Sequence, residues 1–385
     1  MISSPYFSPA FIQQLMRDYT PNKDIIVSSV TMIDVDNSAS ILAALASAQT
    51  DMLIGHFGLQ VTFSVEGHRQ TRQMVMKIKP HGLQIVNMLN TLAQACGGQL
   101  AIEYEAFKNV TGFQHTHCRE QEIYNKLRPS FTPEIFGLYT NDVTQEYIIL
   151  MEYLKDVALL NSVMAPAEWK DEHIKQALMQ MAQWHSSQLN KPLHLDMCLW
   201  DDAPSLEYMT NLIPLWEALL YNAAEKFPEL YNASRVKKLQ NAISSIDDNW
   251  RYLQLLPKTL VHNDFNPRNS CFKKVDGHLQ FCLYDWELAT FHIPQYDVVE
   301  FLCFVLDEDR YDTRPYYIEF YRQQLHEATG KYDATAFNYE FHLAALDFGI
   351  HRLGMYIMAH AINAYPFIPR VVNSFFNTIE LLDIK

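Results

Sequence analysis

Leu260-Val261-His262-Asn263-Asp264-Phe265-Asn266-Pro267-Arg268-Asn269-Ser270-Cys271-Phe272, followed by Leu283-Tyr284-Asp285-Trp286-Glu287, decides the fold of this chain. Apolar residues lead into H-x-D, an Asn stands five positions after that Asp, and a second Asp closes a short apolar strand 21 residues after the first. Such an interval suits a loop and a tight hairpin. Phosphoryl transfer requires one carboxylate to orient a hydroxyl and accept its proton, and an amide plus a second carboxylate to hold a divalent cation on nucleotide phosphates. In that set Asp264 is the base, and Asn269 and Asp285 are the metal ligands.

Upstream, the texture is strand-rich. Ser8 before Pro9 predicts a helix running to Tyr19. Extended runs follow at Ile25–Asp36, Leu53–Glu66 and Thr71–Lys79, the last alternating Met74, Met76, Ile78 against Val75, Lys77, Lys79. The alanine-rich Ser38–Gln49 between the first two favours helix. Helices are expected over His81–Gln99, closed by Gly97-Gly98, and over His117–Leu127, with strands at Ile135–Tyr139 and Tyr147–Tyr153. The remainder is helical in texture apart from Thr259–Val261 and Leu279–Tyr284, with the three- and four-residue spacing of Ile174, Leu178, Met181 and His185 in Asp171–Leu189 as its clearest case. The expected class is α+β, strands first and helices after, divided at 1–153 and 154–385.

The H-x-D-x-x-x-x-N segment and D-W-E resemble the aminoglycoside phosphotransferase and choline kinase-like superfamily of small-molecule kinases. That resemblance implies a two-lobed protein kinase-like fold, with a small antiparallel-sheet N-lobe and a large, mostly helical C-lobe. Met74-Val75-Met76-Lys77 is similar to the strand carrying the phosphate-contacting lysine, and Glu120 in Arg119-Glu120-Gln121-Glu122-Ile123-Tyr124 to its helical partner. Glu152 and Tyr153, ending Ile149-Leu150-Met151-Glu152-Tyr153, stand where the superfamily binds adenine through main-chain groups. Ala182-Gln183-Trp184-His185 resembles the helix before the catalytic loop. Asp297 and His262 match the residues that brace that loop. Together these cover residues 70 to 305.

Some positions stay open. Lys79 lies on the same strand face as Lys77, and Glu122 competes with Glu120; the run Met74-Val75-Met76 and the register of Tyr124 favour Lys77 and Glu120. Gly55 and Gly58 are the only glycines near the expected phosphate-covering loop. Asn266 stands where protein kinases carry a lysine, a departure that suits small-molecule kinases, and Arg268 either supplies positive charge or makes a structural ion pair. Asp347-Phe348-Gly349 spells a kinase metal motif but follows Asp264 by 83 residues inside a helical pattern, so Asp285 is preferred. His342, His351 and His360, nine apart, fall out of phase on one helix and are not read as a metal site; on a straight helix the outer two stand about 27 Å apart. Tyr311, Tyr316, Tyr317, Phe320 and Tyr321 beside Asp307, Glu308 and Asp309 allow a box for a cationic ligand, though a packed helix face beside a solvated acidic loop is favoured.

Composition narrows the partners. The chain has 385 residues, a formal charge of -14, and 12 glycines. Residues 1–155 hold 11 Lys/Arg against 14 Asp/Glu, and the remainder 19 against 30, so most of the acidity is in the helical part. An acidic chain has no general attraction for nucleic acid or anionic membranes. Met1–Met16 lacks a basic segment followed by an apolar run, and no apolar stretch reaches membrane-spanning length, so neither export nor anchoring is expected. Six cysteines without C-x-x-C spacing read as reduced thiols in a cytoplasmic protein. The resemblance implies an enzyme using ATP and Mg²⁺ to phosphorylate a hydroxyl of a small molecule, an amino sugar, choline-like compound or other amino alcohol. The alternatives are a catalytically silent nucleotide-binding relative and a nucleotidyltransferase on the same fold.

Overall fold

The computed structural model describes residues 5–21, 23–35, 53–191 and 193–382. Ser8 Oγ accepts a hydrogen bond from Phe11 N and Pro9 takes the first helical position, so helix α1 (Pro9–Tyr19) starts where the sequence predicts. Strands β1 (Ile25–Ile33), β2 (Gly55–Val65), β3 (His68–Lys79), β4 (Ile135–Asn141) and β5 (Glu146–Glu152) form one antiparallel sheet in the order β1-β2-β3-β5-β4. The alternation along β3 does what it foretold. Met74, Met76 and Ile78 bury with Ile12, Leu15 and Met16 of α1, while Val75 joins the larger core and Lys77 and Lys79 point the same way as Val75. The expected helix at Ser38–Gln49, and the phosphate-covering loop sought there, lie outside the described residues. Gly58 is not part of such a loop. It pairs with Val75 within β2, where a Cβ would come within 2.6 Å of Ile33 O, so its role is close strand packing.

Gly97, at φ 77°, ends α2 (Gly82–Cys96), and α3 (Gly98–Phe107) begins at once, a helix that the reading of Gly97-Gly98 as a stop did not anticipate. Gly97 and Gly98, both at positive φ, turn the chain without a loop. After α4 (Thr116–Lys126) and β4–β5 come α5 (Asp171–Gln188), α6 (Leu206–Asn211), α7 (Ile213–Lys226), α8 (Ala233–Ser244) and α9 (Ile246–Leu253). Then follow β6 (Thr259–Val261), β7 (Ser270–Val275), β8 (His278–Leu283) and β9 (Thr290–His292), with α10 (Gln295–Val305), α11 (Arg314–Thr329), α12 (Ala334–Ile350), α13 (Arg352–Ile362) and α14 (Ile368–Leu382). Strand β6 pairs with β9, and β7 with β8. The β7–β8 hairpin turns through Asp276 and Gly277, both at positive φ, as a two-residue turn requires. Strand β7 forms with β8 the tight hairpin that the Asp264–Asp285 interval suits, although its residues were not themselves read as a strand, and β9 was not expected. Strand β7 is polar in its second half and β9 spans three residues, so their partners rather than their own propensity define them.

The α+β class is as expected, but packing does not follow chain order everywhere: α2 lies against α13, and α3 against α7. Helix α10 is buried along its whole length and carries Asp297 and Glu300 into the centre. The helical texture expected at the C-terminal end resolves into α12, α13 and α14, broken at His351 and again before Ile368, so a straight-helix distance between His342 and His360 does not apply. His351 packs on Trp216 and His360 on Phe227. Asp347 is structural, accepting from Trp250 Nε1 at 3.1 Å and pairing with His292 at 3.0 Å. Among the described residues no helix is long and apolar enough to cross a membrane.

Candidate active site

The loop between β6 and β7 is held from below. Asp297 accepts the backbone N–H of His262 at 2.7 Å on one oxygen and that of Asn263 at 2.8 Å on the other, and it lies 3.0 Å from His185 Nε2. Tyr321 OH meets the other ring nitrogen of His185 at 2.6 Å. His262 Nε2 lies 2.9 Å from Tyr284 O, joining this loop to the end of β8. Asn263 sits at φ 59° with its amide donating to Leu288 O, a left-handed turn that Asn tolerates better than most residues. His185, His262 and Asp297 therefore hold the loop and touch none of the space above it.

Asp264 is surrounded by donors. Arg268 Nη2 at 3.2 Å, Arg352 Nη2 at 3.0 Å and Asn266 Nδ2 at 2.9 Å converge on Oδ1, and Asn269 Nδ2 donates to Oδ2 at 2.6 Å. Tyr356 OH also donates to Oδ1 and lies 2.9 Å from Glu300 Oε1. Burial alone would raise the Asp264 pKa, but the guanidiniums of Arg268 and Arg352 outweigh it and hold the carboxyl well below its usual range. Glu300 has no such cation in contact. Burial and the Asp264 charge push it up to about 7.

A second cluster faces the first. Lys77 Nζ donates to Glu120 Oε2 at 2.8 Å and to Asp285 Oδ1 at 2.7 Å. Lys79 Nζ donates to the same Glu120 oxygen at 2.6 Å and lies 2.9 Å from Glu287 Oε2. Both lysines thus reach Glu120, whereas Glu122 accepts from Asp196 N at 3.0 Å outside the cluster. Burial works against the Lys77 charge, but Asp285, Glu120 and Glu287 together raise its pKa. Glu120, buried yet beside two ammonium groups, is held down to about 2. Asp285 stands at φ 66°, a strained setting that aims its carboxylate at the lysine.

The donor set fits a hard divalent cation. Glu120, Asp285 and Glu287 each offer a carboxylate oxygen, and these lie within 4.8 Å of one another. Asn269, with Nδ2 spent on Asp264, keeps its carbonyl oxygen as an acceptor and lines the same space as Asp285. The sequence reading chose Asn269 and Asp285 as ligands. Glu287, inside the quoted D-W-E, was passed over as a third.

Two open cavities meet at this cluster. One, of about 900 Å³, is lined by His56, Lys77, Glu120, Tyr153, Asn269 and Asp285 among others. The other, of about 720 Å³, is lined by Asp264, Arg268, Arg352, Tyr356 and a mainly apolar wall. Glu152 and Tyr153 both border the first, but the N–H of Glu152 donates to Glu134 O at 2.8 Å and that of Tyr153 to Gln73 O at 3.3 Å. The main-chain N–H groups at these two positions are already paired, because sheet hydrogen bonding continues past the strand end. Residues 307–321 line neither cavity: Arg310 pairs with Asp307, Lys175 sits over Tyr316, and Tyr321 is buried against His185.

Arg352, Tyr356 and Glu300 were not picked out from sequence. The first two are four apart on apolar α13, so they share a helix face, and an arginine there is a detectable anomaly.

A buried Lys–Glu pair on a sheet and helix, facing an H-x-D-x-x-x-x-N loop across a cleft, defines a phosphotransferase on the two-lobed kinase-like plan. The sequence profile of the "Phosphotransferase enzyme family" matches residues 114–337, more than half of the chain, and the chain belongs to that family. Among solved structures, the chain is similar to an ethanolamine kinase of Plasmodium vivax, at 13% identity and TM-score 0.46, covering 92% of this chain and 82% of that one. It is similar to a microcompartment-associated aminopropanol kinase at 9% identity and TM-score 0.41, covering 93% and 91%. An APH(2″) enzyme in complex with GDP and kanamycin matches at 14% identity and TM-score 0.43, covering 96% of each chain. No curated protein sequence matches the chain significantly.

Proposed function

We propose that the protein transfers the γ-phosphate of ATP to a hydroxyl of a small molecule. The observation that carries this is the position of Lys77, 2.8 Å from Glu120 and 2.7 Å from Asp285, at the junction of two cavities with Asp264 lining the second. Residues 1–153 supply the strand and helix side of the nucleotide cavity through Lys77, Glu120 and Tyr153. Residues 154–385 supply Asp264, Asn269 and Asp285, while Leu89 and Phe113 reach across to the acceptor side.

Lys77 neutralises phosphate charge and is aimed by Glu120. Asp285, Asn269 and Glu287 would hold Mg²⁺, which when bound neutralises charge on the phosphate oxygens. Asp264 receives the acceptor hydroxyl and orients it for in-line attack. A carboxylate whose pKa is depressed is a weak base until late in the reaction, which suits a loose transition state in which positioning does most of the work. The fixed loop below, braced by Asp297, keeps that orientation from drifting.

The free state of all six cysteines supports a reducing, cytoplasmic setting for the same activity. Incubation with ATP, Mg²⁺ and a metabolite library, followed by mass spectrometry, tests the proposal. A metabolite gaining one phosphate is the expected result. A gain of AMP mass would make the protein a nucleotidyltransferase, and nucleotide binding with no product across a broad library would make it a silent relative.

A further inference from the structure

We propose that the acceptor is a hydroxyl compound with an apolar body and no positive charge. This rests on the phosphotransferase reading and narrows it. Net acidity of the chain favours an amino alcohol, but the side chains around Asp264 do not share that acidity.

The wall of the cavity beside Asp264 is built from Leu89, Phe113, Leu288, Met355, Phe367 and Ile368, so most of an occupant's surface meets hydrocarbon. Two buried arginines, at 9% and 4% exposure, share one carboxylate: Arg268 and Arg352 both bind Asp264 Oδ1. Guanidiniums do not lose their protons in proteins, so Arg268 and Arg352 put two fixed positive charges at this end of the cavity, against the charge of Asp264 and, behind Tyr356, the carboxyl of Glu300. The other carboxylates on the wall are taken. Asp285 is 2.7 Å from Lys77, and Glu287 is 2.9 Å from Lys79.

Of the four aromatic rings on this wall, those of Tyr356 and Phe367 already carry guanidiniums, leaving Phe113 and Tyr365. Arg268 lies 5.5 Å from the Tyr356 ring centre and 5.7 Å from that of Phe367, and Arg352 lies 4.9 Å from Tyr356. A cationic acceptor would meet guanidiniums where a cation-binding site presents bare rings. Arg352 Nε is buried with no hydrogen-bond partner among the described residues. Neutral and anionic polar ends are both compatible with these groups, whereas an ammonium is not.

The test uses three para-substituted benzyl alcohols of similar size, bearing carboxylate, methyl or aminomethyl groups, titrated against the full-length protein with ADP and Mg²⁺ by ligand-observed NMR. The carboxylate and methyl compounds should bind at least about tenfold more tightly than the ammonium compound. Arg352→Gln should narrow that preference, and Ala359→Phe, which fills the cavity from α13, should abolish binding of all three while nucleotide affinity is retained. Equal or tighter binding of the ammonium compound overturns the inference, as does absence of binding by every compound at millimolar concentration or unchanged binding in Ala359→Phe. Phosphorylation is followed separately with ATP by ³¹P NMR. Preferential binding of the uncharged and anionic compounds without transfer would support the acceptor class while sinking the phosphotransferase reading, so the two fail independently.

Discussion

Arg352 Nη2 lies 3.0 Å from Asp264 Oδ1 across 88 residues of sequence. The arginine falls outside the segment matched by the family profile, which ends at residue 337. The C-terminal helices thus contribute directly to the environment of Asp264. Arg268 on one side and Arg352 on the other keep Asp264 ionised, while Tyr356 links it to Glu300.

Asp264→Asn keeps the size and most hydrogen bonds of the side chain but removes its proton affinity and its charge. Turnover with the true acceptor should fall by about 10²- to 10⁴-fold. Asp264→Ala should do the same and also leave Arg268 and Arg352 facing each other unpaired, at a stability cost of about 3–5 kcal/mol. Retention of more than about a tenth of wild-type turnover by the folded Asn variant would remove Asp264 from the base role.

The two lysines should separate by function. Lys77 lines the nucleotide cavity and touches Asp285, whereas Lys79 is tied to Glu120, Glu287 and Thr116 O. Lys77→Met should lower kcat/KM for nucleotide by about a hundredfold, with Asp285→Ala nearly abolishing transfer. Lys79→Met should mainly lower the unfolding midpoint, because half-buried Glu287 keeps only Lys77, 4.0 Å away, and Glu120 loses one of its two cations. Steady-state kinetics and urea titration of both lysine variants decide it. Equal kinetic damage from both would mean that Lys79 shares phosphate contact.

Legibility of the chain followed the range of the interactions. The strand bearing Lys77 was readable because period-two alternation is local, and α1 because Ser8 and Pro9 mark its start within two residues. The loop from His262 to Asn269 was readable because its chemistry lies within one short segment. What the sequence could not show was convergence. Glu300 and Tyr356 meet at 2.9 Å from helices 56 residues apart, and each alone looks like an ordinary residue of an apolar helix. Strand β9 was missed for a related reason, since pairing with β6, on the far side of the loop and hairpin, makes it a strand, not local propensity.

Asp297 makes a separate prediction because it touches no cavity. Its two oxygens take the N–H groups of His262 and Asn263 as well as His185. Asp297→Ala leaves two buried backbone donors unsatisfied and should cost about 2–5 kcal/mol of stability. The loop carrying Asp264 would then sample other positions, so kcat should fall more than KM for nucleotide changes. Urea unfolding together with the kcat-against-KM comparison tests this. Unchanged stability would show that the loop is held by other contacts.

Glu300 gives the pH dependence. Burial first, and then the Asp264 charge, raise its carboxyl from 4.5 to about 7 in the folded state. Between those values the folded protein retains a proton that the unfolded chain has released. Its contribution to stability is therefore full below about pH 4.5 and lost as the pH rises through about 7. His56, for which burial and then Lys77 are the leading causes, and His351, for which burial leads, are both held down to about 4, and their contributions run the other way, present above their ordinary pKa and lost as the pH falls. The raw stability curve mixes these slopes, but the difference between wild type and Glu300→Gln isolates the one carboxyl. Relative to wild type, the variant should gain stability steadily from about pH 5 to about pH 8, measured as urea midpoints at constant ionic strength. A difference that does not change with pH would mean that Glu300 is ionised throughout that range in the folded protein as in the unfolded chain.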